Sequence, residues 1–272
     1  MDLLAFSEAI LFCTILGIIS LRLGFVNLSG LAAALLVGVL TFSLPADGWK
    51  WFTVMLIFHG VASQSTRYKY AAKARTGYAQ EKGGARSWRN IVANGGMAAL
   101  LATVEGVWPS EIFVLGYIGA VSTATADTLA TEIGLLNRGQ PRLITNLRRR
   151  VAAGTSGGIS PVGEAAALLA TMIIGFSVWV LSLGSLGGNS LEVVLLVAAA
   201  SGLAGCTLDS LIGAIAQGIF QCRVCGSMTE SKSHCGRQTI HIRGLSLIDN
   251  NVVNFIATVF GAAVAAAFSL YL

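Results

Sequence analysis

The chain alternates long apolar stretches with short polar ones. The stretches at about 3–21, 26–44, 49–65, 91–107, 110–135, 163–184, 191–220 and 251–271 are predominantly hydrophobic. A helix needs roughly 20 such residues to cross the hydrocarbon core of a bilayer. The pattern predicts an all-α bundle of about eight (seven to nine) transmembrane spans, forming a single integral membrane domain over residues 1–272. The third stretch is short, and the fourth contains Asn94, Gly95, Gly96 and Glu105; either also reads as a re-entrant or interfacial segment. The seventh is too long for one upright span, so it is expected to tilt, to break near residues 202–205, or to run on beyond the membrane. The first carries Asp2 and Glu8 where a signal peptide carries basic residues, and it reads as a retained helix.

Composition supports the membrane reading. Only 11% of the residues are charged and 54% are hydrophobic, whereas a soluble domain carries about 25% charged residues. With so few charges the chain cannot cover a water-facing surface, so the bilayer must be the solvent for most of it.

The charge is also unevenly placed. All of the 18 lysines and arginines except Arg22 and Lys50 fall in three polar segments. The first holds Arg67, Lys69, Lys73, Arg75, Lys82, Arg86 and Arg89, the second Arg138, Arg142, Arg148, Arg149 and Arg150, and the third Arg223, Lys232, Arg237 and Arg243. With eight spans these segments share a side, which the positive-inside rule makes cytoplasmic, with both termini opposite. Such a surface also suits anionic ligands and lipid head groups.

Acids inside apolar helices are costly and mark sites by default. Asp127 and Glu132 lie near the end of the fifth span among Ser122, Thr123, Thr125, Thr128 and Thr131. Thr123, Asp127 and Thr131 share one helical face. In the seventh span Ser201, Gly205, Asp209, Gly213 and Gln217 form an i+4 row, a close-packing groove with one carboxylate in it. Asn90 and Asn94 share a face on the fourth span, and Asn250, Asn251 and Asn254 open the last; these asparagines serve equally well as helix caps, helix–helix contacts or ligand contacts.

A glycine-rich segment joins the fifth and sixth spans. Gly154, Thr155, Ser156, Gly157, Gly158 and Ser160 follow a run of three arginines. Glycines let backbone N–H groups converge on an anion, and the next helix adds its positive end. The segment lacks the GK[ST] ending of a Walker A loop. Acids beside a phosphate-binding loop fit Mg²⁺ with a nucleoside triphosphate, since Mg²⁺ is held by one or two carboxylates plus phosphate oxygens and waters. Asp127 and Asp209 suit the metal; Lys69, Lys73, Arg75 and the arginine run suit the phosphates.

The third basic segment, over 221–250, also carries Cys222, Cys225, His234, Cys235 and His241. A CxxC pair with a third cysteine and a histidine is a possible zinc site. Adjacent His234 and Cys235 bind one tetrahedral ion with difficulty, so the fourth ligand is either His234 or His241. Free thiols remain the alternative, and a reducing compartment disfavours a disulfide. Cys13 and Cys206 lie in apolar stretches and read as packing residues.

Short motifs in order along the chain resemble the phytyl-phosphate kinase family of integral membrane proteins. They are the Arg67-Tyr68-Lys69 and Lys73-Ala74-Arg75 segment, Val92-Ala93-Asn94-Gly95-Gly96, Ala126-Asp127-Thr128-Leu129-Ala130-Thr131-Glu132, the 154–160 loop, Leu208-Asp209-Ser210-Leu211-Ile212-Gly213 and Asp249-Asn250-Asn251-Val252-Val253-Asn254. The likeness runs from about residue 20 to the end, and the cysteine segment resembles that of prokaryotic and cyanobacterial-type members.

The resemblance implies transfer of a phosphoryl group from an NTP, typically CTP, to an isoprenyl monophosphate such as phytyl or geranylgeranyl phosphate, feeding tocopherol and related prenyl-lipid synthesis. The setting is an inner or thylakoid membrane, with the site facing the cytoplasm. It implies Asp127 and Asp209 on Mg²⁺, with Glu132 behind them. Lys69, Lys73, Arg75 and the 154–160 loop would meet phosphate, and Asn94, Asn250 and Asn254 would orient the acceptor. The partners so implied are the lipid phosphate, the nucleotide and membrane lipids, not nucleic acid. Two other readings use the same residues: a CTP-dependent lipid cytidylyltransferase and an ion-coupled transporter.

Overall fold

A computed structural model describes residues 3–74, 81–183 and 190–271. Its helices are α1 (Leu3–Arg22), α2 (Leu28–Ser43), α3 (Gly48–Arg67), the short α4 (Tyr70–Ala74), α5 (Trp88–Val107), α6 (Glu111–Gly134), α7 (Pro161–Val180), α8 (Leu191–Ile215) and α9 (Asn250–Ala267). Each predicted apolar stretch is thus a helix. Four helical segments, α6, α7, α8 and Asn250–Leu270, are long and apolar enough to cross a membrane, and α2 is apolar but shorter.

The third and fourth stretches form 20-residue helices, neither of them among the four segments long and apolar enough to cross. Two expectations are corrected. The seventh runs unbroken as α8 from Leu191 to Ile215. Its glycines pack against neighbouring side chains, so they tighten the bundle and leave the helix intact. The fold is also not purely α. Between α6 and α7 lies a small antiparallel sheet ordered β2-β1-β3, from β1 (Arg142–Leu143), β2 (Asn146–Arg150) and β3 (Gly158–Ile159). Between α8 and α9 lies a lobe of β4 (Ile219–Gln221), β5 (Met228–Thr229) and β8 (Ile240–Arg243), with a separate hairpin of β6 (Ser233–His234) and β7 (Arg237–Gln238). Strands this short carry no apolar periodicity, which is why hydropathy alone missed them.

Helix α6 is the axis of the bundle and packs on α3, α5, α7, α8 and α9. Its apolar window is 78% buried, against 39–44% for the other three membrane-length segments. Small residues make this possible, because close backbone approach is the main source of helix–helix attraction in lipid. The tightest point is Thr123 on α6. A methyl group at Gly205 of α8 or at Gly261 of α9 would overlap its side chain, and its hydroxyl donates to the Ser201 carbonyl at 3.3 Å. At the far end Tyr117 is fully buried against Trp51 and donates to that residue's carbonyl at 2.5 Å. The outward faces of α1, α7 and α8 expose Leu11, Ile15, Leu169, Phe176 and Leu196.

Gly205→Ala tests the close approach. Alanine favours a helix by about 1 kcal/mol over glycine, yet the overlap with Thr123 is expected to reverse the sign and cost about 1–3 kcal/mol, as overpacking does. Thermal unfolding in detergent measures it. Combining it with Thr123→Ala, which removes the nearest atoms, should recover most of the loss.

Candidate functional site

The three basic segments meet at one end of the bundle. Helices α5, α7 and α9 begin there, while α6 and α8 end there. Each start is capped: Asn90 and Ser87 form a reciprocal capping box on α5, Ser160 accepts from the Gly163 amide at 3.1 Å on α7, and Asp249 accepts from the Val252 amide at 3.1 Å on α9. The positive ends of three helices therefore face one region. An Arg89–Asp249 ion pair at 2.9 Å and an Asn90–Asn251 hydrogen bond at 2.9 Å tie α5 to α9.

Two polar chambers lie in that region. The first, about 70 Å³, is lined by Asn90 and Asn94 of α5, Asp127, Thr128, Thr131 and Glu132 of α6, Asp209 of α8, Asn250 and Asn254 of α9, and Thr66, Gly84 and Arg86. The second, about 130 Å³, is lined by Asp127, Thr131, Asp209, Asn250, the 154–160 loop, Ser210, Gln217, Glu164 and Glu230. A single water needs about 10–15 Å³ of such space, so each chamber has room for several waters or a phosphate group. Asp127, Thr131, Asp209 and Asn250 belong to both, which makes the two aspartates part of the wall between them.

The asparagines are positioned by each other. With its amide nitrogen facing acceptors, Asn254 donates to Asp209 Oδ2 at 3.1 Å and to the Asn250 carbonyl at 2.8 Å. Asn94 donates to the Asn90 carbonyl at 3.0 Å. Asp209 is thereby oriented from α9.

The glycine loop docks on α8. Gly154 and Gly157 take φ of 80° and 79°, a left-handed region open to glycine at little cost. Any side chain at Gly157 would meet Ala214 and the Ser210 carbonyl. Inside the loop the amides of Thr155 and Gly158 are already bonded, to the carbonyls of Ala152 (3.2 Å) and Thr155 (2.8 Å). The Thr155 hydroxyl donates to the Ala152 carbonyl at 2.8 Å, and the Ser156 hydroxyl to Glu230 Oε1 at 2.8 Å. Thr155 and Ser156 therefore shape the loop with the hydroxyls that were expected to meet phosphate. The amides of Ser156 and Gly157 have no acceptor among the described residues.

The predicted basic contacts fare differently. Lys73 on α4 is buried and forms a 2.5 Å ion pair with Glu132. Its ammonium also donates to the carbonyls of Ser65 (2.8 Å) and Thr66 (2.7 Å). Three donors are satisfied, so in this arrangement Lys73 braces α4 against α3 and α6 in place of meeting phosphate. Lys69 is exposed beside the Tyr68 ring, 5.2 Å away, and lines neither chamber. Arg75 lies outside the described residues. Arg148, Arg149 and Arg150 are exposed on β2.

Two residues not singled out as site residues by the sequence join the site. Arg86 is held by backbone hydrogen bonds to Phe25 and Asn27 and lines the first chamber. Burial pushes its guanidinium down to about 10, partly offset by Glu132, so it stays cationic at neutral pH. Its signal was a basic residue immediately ahead of the Asn90-bearing helix. Glu230 lines the second chamber from the β lobe. Although the residue as a whole is exposed, desolvation of its carboxyl at the chamber wall raises it above its ordinary value, and the Ser156 hydroxyl opposes this. Nothing in the sequence near Glu230 announces it.

The second chamber thus holds four carboxylates, Asp127, Glu164, Asp209 and Glu230, and no lysine or arginine among its lining residues. Oxygen ligands around a site of net negative charge fit a hard cation such as Mg²⁺. Their oxygens line a space rather than meeting at a point.

A third, apolar cavity of about 90 Å³ opens between α1, α2, α3 and α5, lined by Leu16, Val37, Phe52, Met55, Phe58 and others. It shares Arg86, Asn90 and Asn94 with the first polar chamber. An apolar slot therefore adjoins a polar chamber through one cation and two amides.

Acids, a glycine loop and an apolar slot thus lie together at one end of an apolar helix bundle. The chain belongs to the integral membrane protein family DUF92, whose pattern it matches over residues 11–262. It is 29% identical over 265 residues to Protein PGR of Arabidopsis thaliana, covering 90% of each chain. It is 31% identical over 194 residues to an uncharacterized membrane protein of Synechocystis sp., covering 69% of this chain and 70% of that one. It is also 31% identical over 151 residues to Protein VTE6, chloroplastic, of Arabidopsis thaliana, covering 54% of this chain and 44% of that one. No solved structure matches it.

Proposed function

We propose that the protein transfers the γ-phosphoryl group of an NTP, CTP by family resemblance, to an isoprenyl monophosphate such as phytyl or geranylgeranyl phosphate at the cytoplasmic face of the membrane. The observation that carries this reading is the wall shared by the two chambers: Asp127 and Asp209 face a glycine-loop chamber on one side and an asparagine chamber on the other. The donor triphosphate belongs in the glycine-loop chamber, against the amides of Ser156 and Gly157 and beside the buried Gln217. The acceptor phosphate belongs beside Arg86, Asn90 and Asn94, with its chain in the apolar cavity. An isoprenyl phosphate is an apolar chain ending in an anion, which is the chemistry that pairing recognises.

The acceptor phosphate is nucleophilic without a base. One of its oxygens forms a bond to the γ-phosphorus, the γ-phosphorus to bridging-oxygen bond breaks, and an NDP leaves. Two anions must be brought together, so catalysis is positioning and charge neutralisation. Asp127 and Asp209 would hold Mg²⁺, which would supply cationic charge to offset that of the two phosphates. Asn254 holds Asp209 in place, and Arg86 neutralises the acceptor.

Incubating purified protein with phytyl phosphate and NTP labelled at the α- or γ-phosphate tests the reading. Label from the γ position in a lipid diphosphate is the expected result. Label from the α position in lipid would make the protein a cytidylyltransferase, and substrate flux into proteoliposomes without nucleotide would make it a transporter.

A further inference from the structure

Among the described residues, metal-ligand atoms gather within 4.8 Å of one another at one place, formed by Cys222, Cys225, His234 and Cys235. The spacings match a metal shell. Sulfurs about 2.3 Å from a tetrahedral Zn²⁺ stand about 3.8 Å apart, and a sulfur stands about 3.5 Å from a nitrogen ligand. Here Cys225 and Cys235 Sγ are 3.8 Å apart, and His234 Nδ1 lies 3.5 Å from Cys225 Sγ and 3.3 Å from Cys235 Sγ. The Val224 amide also points at Cys222 Sγ, at 3.3 Å, as an N–H does toward a thiolate in a CxxC turn.

The backbone explains how neighbouring His234 and Cys235 both reach one point. They sit at the tip of the β6–β7 hairpin, where Cys235 and Gly236 take φ of 51° and 72°, the two-residue turn with both φ positive. The turn swings the Cys235 thiol back beside the imidazole. His241 faces elsewhere, its ring centroid 5.2 Å from that of Phe220. The lobe also has little core of its own. Met228, Ile240 and Ile242 are exposed, and its buried apolar residues are Ile219, Phe220 and Cys222, just after α8 in the chain. A segment without a core needs a covalent or metal staple to hold one shape.

We infer that Cys222, Cys225, His234 and Cys235 bind one structural Zn²⁺, and that this ion holds the lobe in the shape that presents Glu230 to the glycine loop. Glu230 lies between the two ligand pairs along the chain, and its carboxylate meets the Ser156 hydroxyl at 2.8 Å. Four protein ligands close the tetrahedron, so the ion has no open position for chemistry. Binding releases the thiol protons to solvent. The assignment stands apart from the phosphoryl-transfer reading, because it rests on residues outside the membrane bundle.

Elemental analysis of detergent-purified protein lacking a polyhistidine tag, prepared with a thiol reductant, tests it. The expected content is one zinc per chain, released in a single step when a mercurial titrates the thiols. Cys225→Ser and His234→Ala should each lower bound zinc at least about tenfold, while His241→Ala retains it. Releasing the zinc should speed trypsin cleavage at Arg223, Lys232 and Arg237, and restoring zinc should slow it again. Wild-type protein without stoichiometric zinc, or with a Cys225–Cys235 disulfide in its place, would overturn the site whether or not the variants fold. Equal zinc loss in His241→Ala and His234→Ala would overturn the ligand set. Unchanged cleavage on zinc release would overturn the ordering role.

Discussion

Asp209→Asn is expected to lower the turnover of the proposed phosphoryl transfer at least about 100-fold while leaving the bundle folded, the scale seen when one preorganised electrostatic contact to a transition state is lost. Asparagine keeps the volume of aspartate, and its side-chain oxygen can still accept the Asn254 hydrogen bond. What disappears is a negative charge in the wall between the two chambers, and with it one ligand proposed for the cation. Asp127→Asn should do the same, because Asp127 lines both chambers from α6. Acting on one metal, the two substitutions should be strongly non-additive. Initial rates across a Mg²⁺ titration give the answer: part of the loss should appear as a higher Mg²⁺ requirement. An Asn variant with unchanged rate and unchanged Mg²⁺ dependence would remove the centre of the proposed mechanism.

Glu132→Ala is expected to destabilise the protein by about 3–5 kcal/mol, the usual cost of removing one partner from a buried ion pair. Lys73 would be left as a buried cation without its carboxylate, at the junction of α3, α4 and α6, though still donating to the carbonyls of Ser65 and Thr66. Replacing both groups by apolar ones, as in Lys73→Met with Glu132→Leu, should recover most of that stability, since the pair gains little over well-packed apolar groups. Thermal unfolding in detergent separates the cases. Glu132→Ala that melts like the unaltered chain would show that the pair does not brace α4.

The helices were readable because each needs only a local run of apolar residues, and boundaries such as Gly48–Arg67 or Trp88–Val107 lie within a few residues of the stretches that predicted them. Asp127, Asp209, Asn94, Asn250 and Asn254 were readable for a related reason: a polar side chain in an apolar helix is costly, so it stands out against its surroundings. The structure brings all five to one chamber. Lys73 and Lys69 were not readable in this way. A lysine in a polar segment looks the same whether it meets phosphate, a buried glutamate or water, and only the packing of α4 on α6 separates those outcomes. Arg86 and Glu230 were hidden likewise, as ordinary charges in polar segments.

The sequence by itself determined that the chain is a bundle of apolar helices whose basic segments and buried acids belong together, because hydropathy, charge clustering and the cost of intramembrane carboxylates act residue by residue. It also determined that three cysteines and a histidine form a possible ligand set. Tertiary structure alone decided that Asp127 and Asp209 stand in the wall between two chambers, that Lys73 pairs with Glu132, and that Glu230 reaches the glycine loop. It decided as well that His234, and not His241, completes the cysteine cluster. Those facts depend on which backbones approach closely at Thr123, Gly205 and Gly261 and on the positive-φ turn at Cys235 and Gly236. Such contacts join residues far apart in the chain, or turn neighbours toward one point, and no local pattern of polar and apolar positions encodes either.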